Sequence, residues 1–303
     1  MAGLRHKKAA NGDGRICRAR KALRRKVNKD LLKRVLTTAA LLPLFIFIVV
    51  CGGVFLRIAI LIISVVGMNE IYSAISKDNK KIHAIGYIFA VIYTFMLEDQ
   101  LPRGLYVITS LFIMTLLIYV VITYGETNIT DLSATMFGFY YVTFLMSNIY
   151  LAREFTEYGK YFVWLIFICA WVSDTAAFLV GGNFGKHKIA PRLSPNKTLE
   201  GAAGGVCASC LAAFIYGYVL YRLDLVNIFP LRHFALIGVL GSLLSQAGDL
   251  AASAIKRYTG IKDFGFLLPG HGGVLDRFDS VLFTAPAVYL IMRVLFHFYS
   301  GAR

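Results

Sequence analysis

Long apolar stretches follow one another through most of this chain, separated only by short polar loops. They fall at residues 35–51, 54–75, 82–97, 104–122, 129–151, 161–182, 199–220, 233–255 and 277–299. A membrane-crossing helix needs roughly 20 mostly apolar residues, with a range of about 17–25. No stretch alternates polar and apolar residues as a half-buried strand would. Backbone in lipid must also satisfy its own hydrogen bonds, so helices are the natural form. The sequence therefore predicts an all-α, polytopic integral membrane protein with about nine transmembrane helices. Of the 303 residues, 57% are hydrophobic and 16% charged, whereas a soluble domain has about 45–50% and about 25%. The 23 Phe and 17 Tyr exclude disorder for most of the chain. Five Cys, sparse and odd in number, exclude a disulfide scaffold.

The formal net charge of +15 would suggest nucleic acid if it were spread over a face. It is not: 13 of the 32 Lys and Arg fall within residues 1–34, against two acids, Asp13 and Asp30. This basic arm reads first as a topology anchor that also touches anionic lipid heads. A tail without further role comes second. Nucleic-acid binding comes last, because no aromatic residue is interleaved with the charges. A cleavable signal peptide is not expected, since the basic region is too long and Leu41–Val50 lacks a small-residue cleavage site. With the N-terminus in the cytosol, 24 Lys/Arg lie in inside segments and six in outside ones, which the positive-inside rule favours. The loops at 183–198 and 256–276 then both face the cytosol.

Ionisable residues within spans are costly and mark function by default. Glu70, His83 and His297 lie near span ends and read as interfacial, and Arg57 lies close enough to an end to reach the interface. The second half holds the rest: Asp174 in WVSDTAAF, Glu200 at the head of the seventh stretch, Asp249 in SQAGDLAASAIKR, and Asp276 with Asp279 in LDRFDS. Asp249, Ser253 and Lys256 follow i, i+4, i+7 spacing and share a helix face, as do Asp276 and Asp279 at i, i+3. Between them, Leu268–Gly273 holds one Pro and three Gly, a turn with exposed amides leading into a helix N-terminus, a natural seat for phosphate. Carboxylates from two helix ends with cations between them form a metal-plus-phosphate constellation that suits Mg²⁺. The bland alternative is structural ion pairing, Asp249 with Lys256 and Asp276 with Arg277. Upstream, Lys186, His187, Lys188, Arg192 and Lys197 crowd a loop that Pro191 and Pro195 should keep irregular, with Asp174 below it. That loop can hold a polyphosphate, or it is one more positive-inside loop.

Other motifs carry less. Gly181–Lys186 has the wrong spacing for a phosphate loop, and no Ser or Thr follows the Lys. Cys207-x₂-Cys210 and Gly201-x₃-Gly205 read as small packing residues within a span. The sequon Asn128-Ile-Thr lies in a predicted cytosolic loop, where it has no use.

Residues 253–279, SAIKRYTGIKDFGFLLPGHGGVLDRFD, resemble the signature of the phosphatidate cytidylyltransferase (CDP-diacylglycerol synthase) family. That pattern runs Ser-x-x-Lys-Arg, Lys-Asp, Pro-x-His-Gly-Gly, Asp-Arg-x-Asp. It is met by Ser253, Lys256, Arg257, Lys262, Asp263, Pro269, His271, Gly272, Gly273, Asp276, Arg277 and Asp279 without departure. Ser173-Asp174, the segment Ser194–Gly201 and Gly248-Asp249 also look like the family. The specific match covers about 173–280; the basic arm has no counterpart in the pattern.

The resemblance implies a membrane enzyme, often dimeric, that converts CTP and phosphatidate to CDP-diacylglycerol and pyrophosphate with a divalent cation, at a site open to the cytosol. A bacterial-type inner membrane is the expected location. The chain then divides into the arm (1–34), an N-terminal transmembrane region (35–160) and a C-terminal catalytic region (161–303). Asp249, Asp276 and Asp279 are the expected ligands of Mg²⁺, with a second cation left open, and Asp174 contributes. Lys256, Arg257, Lys262 and Arg277 would hold phosphates. Ser194 and Lys197 would hold the nucleotide or the lipid phosphate, Ser253 would assist, and His271 would donate to a phosphoryl oxygen or brace the loop. Two rivals stand beside this reading. One is another nucleotide-dependent lipid enzyme, such as a CDP-archaeol synthase or a polyprenol kinase. The other is a transporter, against which the polar clusters adjoin cytosolic loops and no inverted repeat is evident.

Overall fold

The computed structural model describes residues 39, 41–76, 79–97, 102–267 and 272–300. The basic arm and His271 lie outside the described residues. The apolar stretches are helical: α1 (Leu41–Cys51), α2 (Gly53–Ile75), α3 (Lys80–Phe95) and α4 (Pro102–Ile122) come first. The fifth stretch is α5 (Ile129–Gly138), a π-helical turn (Phe139–Phe144) and α6 (Asn148–Glu154). The sixth is α7 (Gly159–Phe167), a second π turn (Ile168–Val172) and α8 (Ser173–Phe184). α9 (Leu199–Arg222), α10 (Arg232–Tyr258) and α11 (Leu275–Ser300) follow. Among the described residues, five helical segments are long and apolar enough to cross a membrane: Gly53–Ile75, Gly159–Phe184, Leu199–Arg222, Arg232–Tyr258 and Leu275–Tyr299. Large apolar side chains such as Phe47, Ile62, Val121, Phe178, Leu211 and Phe298 face outward. In water that surface would aggregate; in a bilayer, acyl chains cover it.

The loop between α8 and α9 is not irregular. It forms an antiparallel ribbon of β1 (Lys188–Ala190) and β2 (Ser194–Thr198), with Lys188 opposite Thr198 and Ala190 opposite Ser194. The prolines permit it. Pro191 sits at the second position of the turn, where its fixed φ is wanted, and the Leu193 N–H donates to the Ala190 carbonyl at 3.1 Å. A two-stranded ribbon has two free edges, so Pro195 needs no partner for its missing N–H. The ribbon ends on Thr198, whose hydroxyl accepts from the Gly201 N–H at 3.2 Å and caps α9.

Small residues let the C-terminal helices close on one another. A side chain at Gly201 would sit 2.7 Å from the Ala177 carbonyl of α8, and one at Gly205 would meet Ser173, so Gly201-x₃-Gly205 is a packing motif. Cys210 serves the same end, its Cα lying where Gly238 of α10 approaches. Gly248 presses against the Asp279 carbonyl of α11, which sets Asp249 and Asp279 on adjoining helix faces.

Polar residues in the N-terminal half are spent on helix ends and helix contacts. Arg57 donates to the Phe95 and Leu97 carbonyls at 3.3 Å and to the Tyr150 hydroxyl. It thereby satisfies the open end of α3. At the break between α1 and α2, Arg153 donates to the Val49 and Val50 carbonyls while Glu154 accepts from the Gly53 N–H at 2.8 Å. His83 is likewise engaged within the protein. It is buried, stacked on Tyr72 and joined to the Thr135 hydroxyl and the Ser76 carbonyl. A buried imidazole needs partners for both nitrogens, and this position supplies them. Asn128 belongs to a capping box with Asp131 that starts α5.

Candidate active site

Four of the five acids singled out in the second half line one cavity of about 340 Å³: Asp174 from α8, Asp249 from α10, and Asp276 and Asp279 from α11. Asn196, Lys197 and Thr198 of β2 also line it, together with Gln246. Lys197 is the one cation among these lining residues. The π turn at Ile168–Val172 immediately precedes Ser173 and Asp174. Such turns insert a residue, re-aim the helix face and concentrate at functional sites.

Two ion pairs join the segments, and both cross between elements. Lys197 Nζ lies 2.6 Å from Asp249 Oδ2, so the ribbon is tied to α10. Lys256 Nζ lies 2.8 Å from Asp276 Oδ1, so α10 is tied to the head of α11. The pairs Asp249–Lys256 and Asp276–Arg277 are not formed; ion pairing of the bland kind is present, but it runs through Lys197–Asp249 and Lys256–Asp276. Side-chain exposure separates the two pairs that do form: 24% and 30% for Lys197 and Asp249, but 15% and 6% for Lys256 and Asp276. The first pair is open to solvent and ligand, while the second is a buried strut. Lys256 also sits over the Phe264 ring at 5.3 Å.

Asp276 does more than pair. Its Oδ2 accepts from the Phe264 N–H at 2.9 Å and the Gly273 N–H at 3.0 Å, closing the loop between α10 and α11 onto the start of α11. Glu70 completes the closure from α2. Its buried carboxylate accepts from the Val274 and Leu275 N–H groups at 2.8 and 2.9 Å. The expectation of a free phosphate seat at this helix N-terminus is therefore corrected for the described amides, because two carboxylates already occupy them. Side chains at Gly265 and Gly273 would each run into Glu70 within 2.7 Å. That close approach explains two glycines of the loop, and Gly272 takes a positive φ of 84° that favours glycine as well.

Glu70 is the site residue that sequence reasoning missed. Its place within an apolar stretch marked it as costly, yet its partners lie 204 and 205 residues away. Replacing Glu70 by Gln, which keeps one carbonyl acceptor but sets an amide N–H₂ against a backbone N–H, should destabilise the protein by about 1–3 kcal/mol. A lowered unfolding midpoint in detergent, beside a smaller loss from Glu70→Asp, checks this. An unchanged midpoint for Glu70→Gln would show that the α11 amides do not need the carboxylate.

The remaining predicted residues are not gathered in the cavity. Ser194 starts β2 and Ser253 sits half-buried on α10, outside the lining. Arg257 is exposed and donates to the Leu193 carbonyl of the ribbon turn at 3.3 Å. Lys262 and Arg277 are exposed on the loop and on the first turn of α11. Glu200 accepts from the Lys186 and His187 N–H groups and from the His187 ring at 2.6 Å, so it braces the ribbon's entry.

Among the described residues no three His, Cys, Asp or Glu side chains stand close enough to form a ready-made metal site. The donor chemistry still fits Mg²⁺. Asp174, Asp249 and Asp279 line the same cavity, and Mg²⁺ takes one or two protein carboxylates while water and substrate phosphates fill the other positions.

Residues 32–295 match the model of a family described as the cytidylyltransferase family. The phosphatidate cytidylyltransferase of Bacillus subtilis (strain 168) is 32% identical over 275 residues, covering 87% of this chain and 98% of the relative. That of Thermotoga maritima is 30% identical over 274 residues, covering 88% and 97%. That of Staphylococcus aureus (strain COL) is 33% identical over 268 residues, covering 86% and 98%. With the whole signature and its carboxylate cavity inside the matched span, the chain belongs to the cytidylyltransferase family, alongside these bacterial phosphatidate cytidylyltransferases.

Proposed function

We propose that the protein transfers the cytidylyl group of CTP to phosphatidate, giving CDP-diacylglycerol and pyrophosphate for phospholipid synthesis. The observation that carries this reading is the junction of the two signature segments, Lys197 on Asp249 and Lys256 on Asp276, around a cavity lined by four aspartates. Mg²⁺ held by Asp249, Asp276 and Asp279, with Asp174 beside them, would neutralise phosphate oxygens and polarise the phosphorus under attack. A phosphate of the lipid attacks the α-phosphorus of CTP in line, and pyrophosphate leaves. The nucleophile is already anionic near neutral pH, so no strong base is required. The difficulty is bringing two anions together, and fixed positive charge meets it. Lys197 at the cavity wall meets the incoming phosphates, while Arg257, Lys262 and Arg277 draw the nucleotide toward the site from the water side. Lys256 holds Asp276 in place and keeps the loop closed. The direct test is pyrophosphate release by purified protein given CTP, Mg²⁺ and phosphatidate. Release that needs phosphatidate supports the reading; release with an archaeal ether lipid instead, or transport without turnover, contradicts it.

The finer membrane arrangement belongs to the same proposal: nine crossings, an N-terminus and active site facing the cytosol, the inner membrane as location, and a homodimer as the working unit. In that arrangement Cys51, exposed at the end of α1, faces outward and the ribbon faces inward. A membrane-impermeant maleimide applied to intact spheroplasts should therefore label the protein but not its Cys51→Ser variant. Asn196→Cys in a Cys17→Ser, Cys51→Ser background should label only after permeabilisation. Labelling of the ribbon cysteine in sealed spheroplasts would reverse the topology.

A further inference from the structure

Tyr141 lies in the first π turn and is 7% exposed, and its hydroxyl is buried with no hydrogen-bond partner. Leaving a buried donor unsatisfied is destabilising, so a native example calls for an explanation. Its ring stacks on Phe137 one helical turn earlier, with centroids 5.0 Å apart and planes 10° from parallel. The side chain thus leans toward the N-terminal end of α5, as helical side chains do. The next residue, Val142, and Leu275 at the start of α11 both approach Gly67 of α2, so the π turn and the head of α11 share a neighbour. Asp279 and Asp249 are near enough for their charge to bear on the phenol, yet neither accepts its proton.

Phe137 also lines a groove of about 660 Å³ between α5 and α10, whose other wall includes Ala254, Ile255 and Tyr258. The groove is mainly apolar, with the hydroxyls of Thr130, Ser133 and Thr259 among its lining, and it faces outward; Tyr258 in its wall is exposed. Along α10 it ends five residues from Asp249. Its chemistry is opposite to that of the ribbon wall, where Asn196 and Lys197 suit a soluble polyanion.

We propose that Tyr141 is a binding residue for the lipid substrate, its hydroxyl donating to a phosphate oxygen of phosphatidate whose acyl chain lies in the α5–α10 groove. The assignment rests on the cytidylyl-transfer reading for the identity of the lipid. A phenol suits the place: it donates without adding charge among carboxylates, and it is dry and unengaged until an anionic oxygen arrives. No bond to carbon or phosphorus is made by Tyr141, and its proton stays on the phenol.

Tyr141→Phe removes one oxygen and no packing. For the full-length protein in mixed micelles, KM for phosphatidate should rise about ten- to a hundred-fold, while KM for CTP stays within twofold and the unfolding midpoint is unchanged or raised. Equilibrium binding of radiolabelled phosphatidate without CTP should weaken by the same factor. A loss confined to kcat, a loss on KM for CTP, a lowered midpoint, or unchanged phosphatidate binding would overturn the assignment. Wild-type protein that binds phosphatidate through Tyr141 but releases no pyrophosphate would instead contradict the cytidylyl-transfer reading.

Discussion

Asp276→Asn should abolish nearly all CDP-diacylglycerol formation and also destabilise the folded protein. One oxygen of Asp276 holds Lys256 and the other holds two backbone amides, and the side chain is 6% exposed. Asparagine is nearly isosteric but offers a single carbonyl oxygen, so either the amides or the lysine lose their acceptor. Lys256, itself 15% exposed, then loses the carboxylate it is hydrogen-bonded to. Breaking one side of a buried pair costs about 3–5 kcal/mol, a large share of the stability of any protein. The loop between α10 and α11 opens, and turnover should fall by about 10²–10³-fold or more through lost preorganisation. Denaturation in detergent and turnover at saturating Mg²⁺ measure the two effects. Near wild-type turnover in saturating Mg²⁺ would rule out a role for Asp276 at the ion.

Asp249→Asn should be as damaging to turnover and far milder to stability. Its partner Lys197 is 24% exposed and Asp249 is 30% exposed, so water compensates for much of the lost pair, and the expected cost is about 1 kcal/mol or less. Activity responds differently because Asp249 lines the cavity together with Asp174 and Asp279. A neutral amide there should weaken the ion's hold and lower turnover by about 10²–10³-fold. The contrast between the two variants is the informative quantity. Equal destabilisation by both would mean that the Asp249–Lys197 pair is another structural strut rather than part of an open site.

The sequence made the helices legible because lipid leaves the backbone one local solution, and an apolar stretch of sufficient length declares it. Asp174, Asp249, Asp276 and Asp279 were legible for the converse reason: charge within such a stretch needs a purpose. Partner choice was not legible. Lys256 is spaced on α10 to meet Asp249, yet it turns to Asp276, and Asp249 takes Lys197 from a ribbon 52 residues away. Helical spacing ranks neighbours on one element and is silent about contacts between elements. The ribbon itself was hidden because Pro191 and Pro195 argue against strands in a sheet but not in a two-stranded turn. Glu70 was read as interfacial because distance from a span end is the only depth cue a sequence carries. Its amide partners belong to the other half of the chain, so the N-terminal helices help to hold the loop beside the cavity. Tyr141 gave no signal at all, since one tyrosine among 17 in an aromatic-rich stretch shows nothing until the hydroxyl is seen to lack a partner.

The most direct measurement follows the label from CTP. Purified protein is incubated with phosphatidate, Mg²⁺ and CTP carrying ³²P at either the α or the γ position, and the lipid phase is extracted and counted. Cytidylyl transfer places the α label in the lipid and leaves the γ label in water as pyrophosphate. Label from the γ position in the lipid would mean a kinase, and no label from either position would mean that the carboxylate cavity does not run this reaction.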